Sequence, residues 1–132
     1  MMLEESFLCK QDEPKTRDVL NYLNGYLSSL PGLDWYLETD HGEKKGIKVN
    51  YKLGEKAILA INIRKTQPVF RADLRDSARI LNDERVFEKE GQFAKGGWRS
   101  FKFNHNDEDV EFAKNQFRVI VEYYAKESKL IR

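Results

Sequence analysis

The sequence has little with which to cross-link or anchor itself. Its single cysteine, Cys9, cannot form an internal disulfide, and with only two histidines no Cys/His spacing suggests a zinc site. No run approaches the roughly 18 apolar residues that a membrane-crossing helix needs. The first ten residues carry Glu4 and Glu5 and no long apolar stretch, so they do not read as a signal peptide. A reduced, cytoplasmic setting is the expectation, with no membrane partner. Neither charge sign is in excess: the formal net charge is +1 although 34% of residues are charged. A dedicated nucleic-acid protein usually carries a basic surplus, so any basic surface here must be local. There is no internal repeat, no low-complexity segment and no Gly/Ser linker.

What is present suffices for one domain. The chain has 132 residues, 40% hydrophobic and 12% aromatic, enough to bury a core. Residues 1–11 read as an N-terminal arm, in which Cys9 is a small hydrophobe beside Leu3, Phe7 and Leu8. Residues 12–127 read as a single α+β domain and 128–132 as a frayed tail. The spacing predicts a helix from about Glu13 to Leu30. Asp12 is its N-cap, Pro14 sits in its first turn, and Val19, Leu23, Tyr26, Leu27 and Leu30 form its apolar stripe. Gly25 beside that stripe suggests close approach of the sheet, and Pro31-Gly32 stops the helix.

The stretch Trp35 to Arg64 organises the rest as three antiparallel strands: Leu33–Thr39, Ile47–Leu53 and Ala57–Arg64. In the second, Ile47, Val49, Tyr51 and Leu53 alternate with Lys48, Asn50 and Lys52, giving one dry and one wet face. Directly opposed residues share a face. A two-residue Gly54-Glu55 loop would set Lys48 against Ile61. A three-residue loop, Gly54 to Lys56, sets Val49 against Ile61 and Tyr51 against Leu59, which keeps the apolar sides together. Ile58 and Ala60 then fall on the polar side with Asn62 and Arg64. Beyond the break at Thr66-Gln67-Pro68, a second helix is expected from Pro68 or Arg71 to about Asn82. Leu74, Ala78 and Leu81 form its buried line, and Arg71, Arg75 and Arg79 follow at a spacing of four. That line is either a solvated face or a phosphate-facing ridge. Residues 83–97 are irregular or a short helix, ending in Gly96-Gly97. Trp98–Phe103 is a fourth strand with Phe101 and Phe103 facing the core.

The last helix is capped by Asn106, with Asp109 completing a capping-box-like arrangement. Val110, Ala113, Phe117, Ile120, Val121 and Tyr124 form its buried stripe. Phe112, Val119 and Tyr123 form an offset line that could meet a partner or a second copy of the chain. The expected order is thus α-β-β-β-α-β-α: a four-stranded, mostly antiparallel sheet with helices mainly on one face.

Three constellations could carry function. Lys48, Asn50, Lys52, Asn62, Arg64 and Lys102, flanked by Trp98 and Tyr36, combine cations with aromatics on a sheet face. Single-stranded nucleic acid needs that combination, because phosphates want charge and bases want a π-face; the plain alternative is a solvated face. The αβββαβ order resembles the core of the restriction-endonuclease-like superfamily, which holds Mg²⁺ on an acid and an acid-x-Lys triplet. The nearest match is Glu43-Lys44-Lys45 with Asp40 or Asp34, in a Gly-bounded loop. The comparable place on strand three, Asn62-Ile63-Arg64, lacks the acid. His41 and His105 assemble into no Ser/His/Asp or Cys/His arrangement and read as surface or capping residues. No catalytic residue, metal ligand or cofactor is assigned.

The meander DWYLETD…GIKVNYKL…AILAINIR and the closing GGWRSFKFNHNDEDVEFAKNQFRVIVEYY resemble the small α+β domains at the C-terminus of predicted restriction-type nucleases in prokaryotes. The resemblance covers most of residues 15–127. It implies a link to DNA-defence or nucleic-acid systems and supplies no catalytic residue. The expectation is a non-enzymatic binding or accessory module using the polar sheet face, with dimerisation through the last helix and a metal-dependent nuclease as alternatives.

Overall fold

The computed structural model describes residues 14–38, 47–64, 68–88 and 96–130. The expected arm 1–11, the Asp12 cap and the loop with Asp40, His41, Glu43 and Lys45 lie outside these residues. The described elements are α1 (Pro14–Ser28), β1 (Leu33–Glu38), β2 (Ile47–Leu53), β3 (Lys56–Ile63), β4 (Phe70–Arg75), β5 (Phe87–Glu88), β6 (Trp98–Phe103) and α2 (Asp107–Leu130). The fold class α+β holds, but the sheet has six strands rather than four, in the order β1-β2-β3-β4-β6-β5. Every described pairing is antiparallel.

The expected second helix is instead strand β4. Arg71 and Arg75 fit either element, because a spacing of four keeps residues on one side of a strand as well as of a helix. The spacing of two decides: Phe70, Ala72 and Leu74 are buried, and Arg71 and Arg75 are half-exposed on the other side. Arg79, the third member of the supposed ridge, lies beyond the strand with φ 56°. Residues 83–97, expected to be irregular or a short helix, contribute the two-residue edge strand β5, which pairs with β6.

The β2–β3 register is as argued from facing residues: Val49 opposes Ile61 and Tyr51 opposes Leu59. The turn is shorter than expected. Leu53 pairs with Lys56 across Gly54-Glu55, and the register shifts by one residue between Tyr51 and Lys52. A β-bulge at Ile58, which has no partner in the ladder, takes up the extra residue. The bulge also corrects the expected face of Ile58, which belongs to the hydrophobic core cluster, while Ala60 does not.

Both helices cover the face carrying Val49, Tyr51, Leu59, Ile61, Phe70, Ala72, Leu74, Phe101 and Phe103. Leu20, Leu23 and Leu27 of α1 and Val110, Ala113, Phe117, Ile120, Val121 and Tyr124 of α2 are buried there. Phe117 packs against Phe101 and Phe103 at ring distances of 5.9 and 6.5 Å. Polar contacts fix α1 to the sheet. Tyr51 donates its hydroxyl to Asn24 Oδ1 at 2.7 Å, and burial pushes its phenol pKa up. Thr16 Oγ1 lies 2.7 Å from His105 Nε2, so His105 ties α1 to the β6–α2 corner. Asn106 caps α2 by accepting from Asp109 N at 2.8 Å. The Asp109 carboxylate reaches further back than a capping box requires, to Asn104 N at 2.8 Å.

The loop after β4 closes on Asp76. Its carboxylate accepts from Ile80 N, Leu81 N and the Arg99 guanidinium, at 2.8, 3.1 and 2.8 Å. Gly97, at φ 74°, lets the chain enter β6 against this loop; a Cβ there would come within 2.6 Å of Ser77 Cα. Gly25 has no comparable role, since a Cβ there meets nothing within 4 Å. The close approach expected at Gly25 is therefore absent.

Gly97→Ala should cost at least about 2 kcal/mol from the left-handed backbone and the clash. Gly25→Ala should stabilise by about 0.5–1 kcal/mol through helix propensity; urea midpoints of the two variants check both signs. A phenol pKa raised on folding contributes stability that is present below its unfolded value, about 10, and is lost as pH rises above it. The stability difference between wild type and Tyr51→Phe should therefore shrink above about pH 10, measured by urea unfolding at pH 8, 10 and 11.

Candidate nucleic-acid interface

The second sheet face is built by register. Lys48, Asn62, Arg71 and Lys102 oppose one another in turn from β2 to β6. Tyr36, Asn50, Ala60, Asp73, Ser100 and Phe87 form the next row, which crosses all six strands. A third line holds Asp34 opposite Lys52 and Arg75 opposite Trp98. Period-two alternation within each strand places these residues away from the helices.

The middle row is deep at its centre and open at its ends. Asn50, Ala60, Asp73 and Ser100 are buried, whereas Tyr36 and Phe87 are each 44% exposed. Asp73 accepts from Ser100 Oγ at 2.6 Å and Asn62 Nδ2 at 2.8 Å, and it pairs with Arg71 Nε at 3.2 Å. This buried carboxylate therefore aligns a half-exposed guanidinium along the outer side of β4. Arg75 donates to the Ala57 carbonyl at 2.8 Å and stacks over Trp98 at 5.0 Å. Lys52 lies 5.7 Å from the Tyr36 ring centroid, and Lys102 lies 5.8 Å from that of Phe87. Each exposed ring of the row thus already has an ammonium group near its face.

Of the residues expected at this site, Lys48, Asn50, Lys52, Asn62, Trp98 and Lys102 share the face. Asn50 is buried, and Asn62 is engaged with Asp73 and the Arg71 carbonyl, so both serve the floor. Arg64 lies just past β3, where its backbone N–H meets the Val69 carbonyl at 2.6 Å. Its Nη1 is buried with no hydrogen-bond partner among the described residues. Sequence reading missed Arg71, Asp73, Arg75 and Phe87 as members of the face, whereas the alternation in Trp98–Phe103 already set Ser100 on the side of Trp98 and Lys102. The signal was the alternation from Phe70 to Arg75, hidden by the spacing of the arginines; Phe87 has no such signal, because β5 is only two residues long.

The offset line of α2 is largely committed within the chain. Phe112, Val119 and Tyr123 are half-buried against the core. Phe112 packs edge-on against Phe101 at 5.0 Å, and the Arg85 guanidinium covers it at 4.1 Å. Asp34, the one residue of the nuclease alternative that is described, is exposed on β1 opposite Lys52. No group of three or more metal-ligating side chains occurs among the described residues. None of the described helices is long and apolar enough to cross a membrane.

No family model matches this chain, and neither curated proteins nor solved structures give a significant match.

Asp73→Ala leaves Ser100, Asn62 and Arg71 without their shared acceptor. It should destabilise by about 2–4 kcal/mol, read as a lower urea midpoint with an unchanged m-value. Ser100→Ala should cost about 1 kcal/mol in the same measurement.

Proposed function

We propose that this protein is a binding module that takes single-stranded nucleic acid on the sheet face opposite its helices. One observation supports the reading: neither of the two described helices packs on a face whose cations come from three strands (Lys48 and Lys52 of β2, Arg71 and Arg75 of β4, Lys102 of β6), with exposed aromatic rings at its two edges. Phosphates are attracted by the cations, and any base offers a π-face to the rings, so the combination favours strands with unpaired bases. An accessory role beside a nuclease, which the sequence resemblance implies, is compatible with such a module.

Fluorescence anisotropy with labelled single-stranded and duplex DNA, over a salt series, tests the reading. Binding should be tighter for the single strand. Lys52→Glu/Lys102→Glu should weaken it and flatten the salt dependence by about 0.7 in log–log slope for each phosphate that is no longer neutralised. Arg118→Glu, on the exposed side of α2, should leave it unchanged. Equal weakening in both variants, or no binding at low salt, would refute the reading.

A further inference from the structure

We infer that the bound strand runs across the sheet, at right angles to the β-strands, along the row from Tyr36 to Phe87, and that the site is only a few nucleotides long. This inference rests on the proposed function and gives that site a direction and a length.

The row is the only line on this face, among the described residues, with an exposed ring at each end: Tyr36 on β1 and Phe87 on β5, the two outermost strands. Between them the floor is low, since Ala60 and Ser100 are small and buried and Asp73 is held down by Asn62, Ser100 and Arg71. Cations border this floor on both sides. Lys48, Arg71 and Lys102 lie along one flank, and Lys52 and Arg75 along the other. A strand lying along the floor has phosphates within reach of either flank and a ring for a base at each end. A strand running parallel to the β-strands would meet at most one exposed ring and leave the floor after one strand's width.

The length follows from sheet geometry. Six strands leave five gaps of about 4.8 Å each, a path of about 24 Å. A stacked strand advances about 3.4 Å per phosphate, so the path holds at most about seven nucleotides. A more extended strand fills it with fewer, near the lower limit of about four seen for sheet-based single-strand binders. The two ammonium groups near the rings, Lys52 and Lys102, are placed to move from ring to phosphate as a base arrives.

The test is a length series of oligothymidylates from two to twelve residues, measured by anisotropy with wild type, Tyr36→Ala, Phe87→Ala and Lys52→Glu/Lys102→Glu. Wild-type affinity should rise steeply up to a length between about four and seven nucleotides and then level off. Each ring deletion should weaken binding of the twelve-residue strand by about tenfold. Either deletion should change dinucleotide binding far less, because a dinucleotide can use the remaining ring. Tyr36→Phe should restore full affinity, which separates stacking from any role of the hydroxyl. Both rings are exposed, so the alanine variants should keep the wild-type urea midpoint. Two outcomes overturn the inference while leaving the proposed function standing: a smooth length dependence with no break, or ring deletions without effect on the twelve-residue strand while the lysine variant still weakens it. Absence of binding by the wild type at every length and low salt overturns both.

Discussion

The pairing of β3 with β4 is the constraint on which the rest depends. It sets Leu59 beside Leu74 and Ile61 beside Ala72 on the side covered by the helices, and Ala60 beside Asp73 and Asn62 beside Arg71 on the other. One register therefore defines both the core and the candidate site. A slip of one residue would send Asp73 and Arg71 beneath the helices and expose Leu74 and Phe70, reversing every burial preference at once. The buried Asp73 reinforces the choice, because in this register it accepts from Asn62 of β3 on one side and from Ser100 of β6 on the other.

Stability and function use opposite sides of the same strands. The helix-facing side packs phenylalanines from β4, β6 and α2 in ring contact, and the buried Tyr51–Asn24 hydrogen bond reaches from it into α1. The other side keeps its polar groups bound to each other at the centre and its cations toward the rim. Such a division allows charge on the rim to change with little effect on the fold, whereas changes at Asp73 are felt by both. The loop after β4 is a separate unit, in which Asp76 and Arg99 bind loop to sheet and Gly97 permits the close crossing.

Much of this fold was legible in the chain. The alternation in Ile47–Leu53 and the matching of apolar residues across Gly54-Glu55 specified both the faces and the β2–β3 register. The 3.6-residue stripe of α2 and its Asn106 cap gave the last helix its buried side. The second strand pair was less legible, because arginines four apart satisfy either period, and a charged strand with Asp73 at its centre lacks the apolar run of a typical interior strand. Gly25 was misleading for a related reason: a glycine in a helix signals close packing only if something is close, and that is a tertiary fact.

By itself, the sequence determined which faces of β2 and α2 are apolar, where α2 begins and that β2 and β3 pair as they do, because these follow from neighbours along the chain or across one short turn. The tertiary structure alone decided that Phe70–Arg75 is a strand, that a bulge at Ile58 reconciles a tight turn with the apolar register, and that Tyr36 and Phe87 end one row across the sheet. Those features join residues far apart in the chain, and no local period records which strands will lie between them.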